Sequence, residues 1–550
     1  MLELFPSYDD FVSLFDGSVC DSRRFVLFAA EVFADTETPV SAFLKLARDR
    51  TANPSAYAAL LESVEGDGRY SYIAYDPVIA VRAREGDVEL LGNSSVERRC
   101  PTGGEDILSI VRTVLEEYLP HFSSELSAFC GGALGYVGYD LLRQFERRYE
   151  ATLTSDCDPL ELPDLLLFVP GTLLLFDNLS HKLRVLSLLR LPSASGSRIF
   201  TAGDLEELYE EGRRKLEGVV IALREATAYP PSASPSGSSC SGSSASLAGS
   251  DVECMGFGGW SSNRSKGAFE DMVREGIRYI EAGDAIQVVL SQRLSRSSDV
   301  DPFDVYRALR TVNPSPYMFF LQMGDFAVSG SSPELLVKLR GGDLELRPIA
   351  GTRPRGGSSC EDELLERELL ADPKERAEHI MLVDLGRNDL GRVSDAATVR
   401  VCELMKVDRY SHVLHLVSRI EGRLAPGLDM FDVFRASFPA GTLSGAPKVR
   451  AVEIIDELEA SKRGLYGGAV GFFDFSGDME MCIAIRMAIF KDGLVHIQAG
   501  AGIVADSSPE REYLETLNKA KGVLCAVDLA ERGLCNIKLS RDLKFSGQRD

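Results

Sequence analysis

Apolar and polar positions alternate in short runs along most of this chain, interrupted by a few stretches of helical period. Ala59-Leu60-Leu61-Glu62-Ser63, then Gly66-Asp67-Gly68, then Arg69-Tyr70-Ser71-Tyr72-Ile73-Ala74-Tyr75 reads as strand, tight turn and strand. Leu165–Leu189 holds two apolar runs joined at Asp177-Asn178, a second hairpin. Helical, charged patterns fall at Ser41–Arg50, Leu205–Ala228 and Phe269–Gly283. Ala285–Leu294 is a strand, Asn313–Phe320 turns through two prolines into another, and Arg347–Gly356 is a basic loop rich in Gly and Pro. Asp372-Pro373-Lys374-Glu375 has the chemistry of a helix start: a capping carboxylate, a proline in the first turn and an acid three residues after the cap. The helix it opens carries the row Ile380, Met381, Leu382 and Leu385 as its apolar side. After it come a β-branched strand (Ser411–Glu421) and a turn leading to a Pro-initiated helix (Ala440–Leu458). A three-stranded meander follows near 467–475, 479–490 and 493–499, ending in Gly500-Ala501-Gly502. A long helix, Pro509–Arg532, is the last element. Strand runs followed by helices, without regular βαβ alternation, predict an α+β fold with large, largely antiparallel sheets packed with helices.

Four of these elements carry candidate chemistry. Glu378 stands one turn ahead of its helix's apolar row, where it is either a solvated face or the partner of a cation. On the last helix Glu512, Glu515, Thr516 and Lys519 share one face, opposite Leu514, Leu517, Val523 and Leu524. Along Met479–Phe490, odd positions form a continuous apolar face, while Cys482, Ala484, Arg486 and Ala488 form a small, polar one. Arg486 is then either a structural salt bridge or a carboxylate ligand. His412 and His415 sit three apart on a strand, so they point to opposite faces and cannot share a metal.

Composition narrows the function classes. With 83 acidic and 60 basic side chains the net charge is −23, which opposes nucleic-acid and anionic-membrane binding. The longest apolar pieces, such as Leu165–Val169 and Leu173–Phe176, are strand-sized rather than membrane-sized. The first residues show no basic stretch followed by an apolar one, and eleven cysteines occur without a CxxC pair. Reduced thiols in a cytoplasmic protein are therefore expected, with no zinc site. Ala128–Tyr139 is Gly-rich without the GxGxxG spacing or βαβ setting of a dinucleotide site. Tyr229–Asp251 is a Ser-, Gly- and Pro-rich segment that cannot bury enough apolar surface to fold, so a mobile loop is expected there.

Glu378–Asp389, EHIMLVDLGRND, resembles the signature of the chorismate-utilising enzymes. The resemblance extends over about residues 56–85, 128–192 and 256–533 through "LLES…GRYS", "NPSPYMF", "HLVS" and "PEREYLETLNKA". It implies an intertwined arrangement. An N-terminal region (1–228) carrying regulatory hairpins is followed by the loop (229–251), a chorismate-binding catalytic region (256–533) and a C-terminal tail (534–550). The resemblance further implies that Glu378 and Glu512 hold Mg²⁺, and that Gly351, Thr352, Tyr466, Arg486, Gly500, Ala501, Gly502 and Lys519 grip the substrate. His415, an imidazole near its ordinary pKa, would assist loss of the pyruvyl group, with Thr442 beside the ring. Ser63, Pro316, Tyr317 and Met318 would line an inhibitory tryptophan pocket, coupled to Arg486 through Cys482 on one strand face. Two positions separate the activities within the family. Aminodeoxychorismate synthases resemble "PIKGT", where this chain has Ala350, and isochorismate and salicylate synthases place a water-activating lysine where Gln287 stands. The resemblance thus favours the anthranilate synthases: chorismate and ammonia to anthranilate and pyruvate, the ammonia drawn from glutamine by a separate amidotransferase subunit. The alternatives are aminodeoxychorismate synthase component I and a catalytically silent amino-acid-binding protein on the same fold.

Overall fold

The computed structural model describes residues 2–15, 24–47, 56–63, 68–92, 95–101, 105–121, 129–145, 158–191, 200–225, 259–409, 413–459 and 461–534. The expected loop at 229–251, the turn residues Gly66-Asp67, His412 and the tail beyond 534 lie outside these residues.

The architecture grows from one long antiparallel pair of strands far apart in the sequence. Strand Tyr70–Arg84 pairs antiparallel with strand Leu165–Asp177 over nearly its whole length, with a register shift between Pro77 and Ile79. Two prolines on facing positions, Pro77 and Pro170, cannot donate to the ladder there. Gly171 lies against the bend, where an added Cβ would sit 2.6 Å from the Asp76 carbonyl. From the two sides of the bend two sheets diverge. One continues through Tyr57–Glu62, Tyr317–Met323, Phe326–Ser332, Met487–Lys491, Leu494–Ile503 and Gln287–Ser297. The other continues through Gly132–Val137, Ala469–Asp474, Met479–Ile483, Leu335–Arg340, Asp343–Leu346 and Val413–Arg423. Among the described residues, pairing is antiparallel except between Phe25–Phe33 and Pro120–His121.

Alternation sorts the side chains into two cores. Ala59, Ala74, Phe319 and Leu321 point into the core between the sheets. Ala58, Leu60, Ile73, Tyr75, Met318 and Phe320 point into an outer core under the helices Pro302–Val312 and Pro509–Glu531. Both faces are thus buried, a case in which period-two patterning fades into continuous apolar runs.

Local signals located some helices and missed others, among them Ile107–Tyr118, Pro302–Val312, Ser359–Ala371 and Met430–Ser437. Asp372 caps helix Pro373–Gly391 by accepting from the Lys374 and Glu375 amides, with Pro373 in the first turn. Four expectations need correction. The "loop" at 347–356 contains a strand, Ile349–Pro354, bulged at Gly351 and paired with Val413–Arg423. The middle strand of the meander is two strands, Met479–Ile483 and Met487–Lys491, one in each sheet, so the continuous face carrying Cys482 and Arg486 does not exist. Ile380 and Leu514 are exposed rather than core. Gly500–Gly502 lie inside strand Leu494–Ile503, not at its end.

Candidate active site

At two places, side by side, the chain passes directly from a strand of one sheet to a strand of the other. Ser332-Pro333-Glu334 carries it from Phe326–Ser332 to Leu335–Arg340, and Ala484–Arg486 carries it from Met479–Ile483 to Met487–Lys491. The crossings are tied to each other: the Ile483 amide donates to the Glu334 carbonyl at 3.0 Å, and the Ser331 amide donates to the Arg486 carbonyl at 3.1 Å. Each therefore presents a charged side chain at the joint. Arg486 takes φ 51°, a left-handed conformation uncommon for a residue with a side chain. Glu334 is buried and accepts from the Thr442 hydroxyl at 3.1 Å. Burial pushes its pKa up to about 8, against the pull of Thr442, Arg486 and Lys519. Burial in turn lowers Arg486, opposed by Glu334.

Glu334 was not among the residues singled out from the sequence. The available signal was Pro333, which interrupts an otherwise strand-like run and marks a break in the sheet.

His415 lies on Val413–Arg423, paired with Thr352 across the bulge. Gly351 adopts φ +67°, and a Cβ there would sit 3.1 Å from Glu375 Oε2 and from Leu369 Cδ1. The freed Gly351 carbonyl lies 3.1 Å from His415 Nδ1. A carbonyl can only accept, so Nδ1 carries the proton and Nε2 keeps its lone pair. The expectation of an ordinary imidazole is corrected here: burial, with Arg486 nearby, pushes His415 down to about 4.

Glu378 and Glu512 reach the same region from two helices. Gln287 Nε2 donates to Glu378 Oε1 at 3.0 Å, and Gly502 abuts this pair, since an added Cβ would sit 2.3 Å from Gln287 Nε2 and 3.8 Å from Glu378 Oε1. Burial raises the pKa of both carboxyls, and both feel Glu515 and Lys519. Among the described residues neither forms an ion pair, and no group of three or more His, Cys, Asp and Glu side chains gathers there. Two half-desolvated carboxylates without an ion-pair partner among the described residues fit a hard divalent ion that completes its shell with water and substrate oxygens.

Strand Leu494–Ile503 supplies the floor. The Gly500 amide donates to the Tyr466 hydroxyl and its carbonyl accepts from Lys519 Nζ at 3.1 Å, while Lys519 pairs with Glu515 at 2.8 Å. Alternation aims the Gly502 amide to the same side, and Ala501 packs its fully buried side chain beneath helix Lys266–Glu281. The residues expected to line an effector pocket also come together. Tyr57–Glu62 pairs with Tyr317–Met323, Met318 opposite Glu62, which places Ser63 beside Pro316–Met318.

The family of chorismate binding enzymes matches residues 58–524, and this chain belongs to it. Its fold is the chorismate-utilising-enzyme fold. It is 42% identical over 505 residues to anthranilate synthase component 1 of Aquifex aeolicus, covering 91% of this chain and 94% of that protein. It is 44% identical over 508 residues to the protein of that name from Pseudomonas putida, covering 92% and 95%. Among solved structures, anthranilate synthase component I from Streptococcus pneumoniae superposes with a TM-score of 0.64 at 35% identity, covering 84% of this chain and 93% of that one. The menaquinone-specific isochorismate synthase of Escherichia coli shares the fold, with a TM-score of 0.64 at 17% identity. Among the described residues no helix is long and apolar enough to cross a membrane.

Proposed function

We propose that this chain is the chorismate-consuming component of an anthranilate synthase. It replaces the ring hydroxyl of chorismate with ammonia and then eliminates pyruvate to leave anthranilate. The observation that carries this reading is Gln287. Its amide donates to Glu378 and has no basic lone pair with which to activate water. Its carbonyl oxygen is buried without a donor, and the N–H groups of ammonia match it. Ala350 offers no amine nucleophile either, so the incoming group has to be ammonia itself. The high similarity to proteins named anthranilate synthase component 1 agrees with this reading.

Glu334, protonated at neutral pH, donates its proton to the departing hydroxyl, with Thr442 fixing the carboxyl and Arg486 beside it. His415, neutral with its proton on Nδ1, takes the ring proton as the pyruvyl group leaves. Arg486, Tyr466, Lys519, the Gly351–Thr352 backbone and the Gly500 and Gly502 peptides hold the substrate's carboxylates. When bound, magnesium would supply a Lewis acid at the ring carboxylate, with Glu378 and Glu512 to hold it.

A glutamine amidotransferase subunit supplies the ammonia, and tryptophan bound between Ser63 and Pro316–Met318 inhibits the reaction. The protein works in the cytoplasm, in keeping with free thiols such as Cys130, Cys482 and Cys525. Purified protein given chorismate, Mg²⁺ and ammonium should develop anthranilate fluorescence that depends on ammonium. Release of isochorismate, or of aminodeoxychorismate as the end product, would overturn the reading.

A further inference from the structure

Behind the substrate floor lies a buried guanidinium with no part in the chemistry above. Arg463 is 2% exposed, and its Nε and Nη2 form a bidentate pair with Glu459, at 2.8 and 2.6 Å. Its remaining bonds go to backbone: Nη1 donates to the Leu443 carbonyl at 2.6 Å, and Nη2 to the Val289 carbonyl at 2.7 Å. The guanidinium carbon lies 4.6 Å from the Tyr139 ring centre and 5.7 Å from that of Tyr466. Glu459 Oε1 also accepts from the Ser291 amide and hydroxyl at 2.7 and 2.8 Å.

Apart from the Tyr139 ring, these contacts land on or one step from groups assigned to the substrate. Leu443 follows Thr442, whose hydroxyl fixes Glu334. Val289 is the partner of Gly502 across the ladder, and Ser291 is the partner of Gly500. Tyr466 meets the Gly500 amide with its hydroxyl and the guanidinium with its ring. One planar cation therefore sets the relative positions of the 3-10 turn Gly441–Leu443, the two ladder strands and the tyrosine. A buried ion pair is poor evidence for stability, because an apolar pair of similar volume commonly serves as well. Its geometry is better suited to fixing a site.

We propose that Arg463, locked by Glu459, is a positioning residue of the chorismate site that holds Thr442, Gly502 and Tyr466 in register without touching substrate. This rests on the proposed function. Lysine keeps the charge facing Glu459 but loses the fork and the planar face. Arg463→Lys should therefore keep a melting temperature near that of wild type while KM for chorismate rises about tenfold, the effect of one lost hydrogen bond. A residue that served stability alone would instead lower kcat through loss of active protein and leave KM unmoved. The Glu459→Met/Arg463→Met double variant, uncharged and similar in volume, should show the same rise in KM. A wild-type KM in either folded variant would overturn the proposal, as would failure of Arg463→Lys to fold. Wild-type protein that makes anthranilate alongside such variants would leave the function standing; wild-type protein inert toward chorismate would remove both.

Discussion

Burial at the joint between the sheets keeps Glu334 protonated at neutral pH, where in water it would be ionised, and keeps His415 neutral to a lower pH than a free imidazole. The signs fix a pH window. Below about 4 His415 gains a proton and can no longer accept one, and above about 8 Glu334 loses the proton it is to donate. At constant free ammonia, kcat/KM should be level between these limits and fall on either side. Glu334→Gln should lower kcat by about 10²-fold or more and abolish the basic limb; a basic limb that survives in this variant would assign it to another group. Glu378→Gln and Glu512→Gln keep the side-chain shape but remove charge facing the ion. Both should melt like wild type, bind magnesium more weakly by calorimetry and lose anthranilate formation, whereas wild-type magnesium affinity in either would remove it from the ion's shell. These two glutamates, His415 and Arg486 were legible because each sits in a distinctive local motif. Glu334 was not, because its partners Thr442 and Arg486 lie far along the chain and only the fold introduces them.

Among elements, the helix start at Asp372 was legible, the capped starts at Asp301, Ser358 and Asp429 went unread, and the strand interruption at Ala484–Arg486 was not legible. Caps such as Asp372 act within one turn, so the residues that decide them are adjacent in sequence. The break at Ala484–Arg486 is decided by which sheet each half joins, and alternation continues through it as though nothing had happened. This break also changes the route expected for feedback. In place of a shared strand face through Cys482, the Asn313–Met318 segment reaches the crossings through Ser331. The Ser331 hydroxyl bonds Asn313 and, at 2.9 Å, Ser315, and its amide bonds the Arg486 carbonyl. Ser63→Phe or Met318→Thr should relieve tryptophan inhibition with turnover retained. Ser331→Ala should bind tryptophan but be inhibited less. Equal inhibition of wild type and all three variants would move the effector elsewhere.

At the scale of the whole molecule, the N-terminal and C-terminal segments share their sheets: Tyr57–Glu62 pairs with Tyr317–Met323, and Gly132–Val137 with Ala469–Asp474. Residues 1–228 expressed alone would leave these strand edges unpaired and the core between the sheets open, so they should be recovered unfolded. A folded, cooperatively melting 1–228 fragment would show that the N-terminal region is an independent domain. The α+β class was legible from patterning, but the two-sheet joint was not, because nothing local records that Tyr70–Arg84 serves both sheets through its bend. That joint is where Glu334, Arg486 and His415 meet, near the Gln287–Glu378 hydrogen bond, and ammonia, not water, is the group proposed to attack there. The most direct measurement is mass spectrometry of the product formed from chorismate with isotopically labelled ammonium and, separately, isotopically labelled water. Labelled nitrogen should appear in anthranilate, with no oxygen from water. A product that carries oxygen from water and no nitrogen would show that water is the nucleophile.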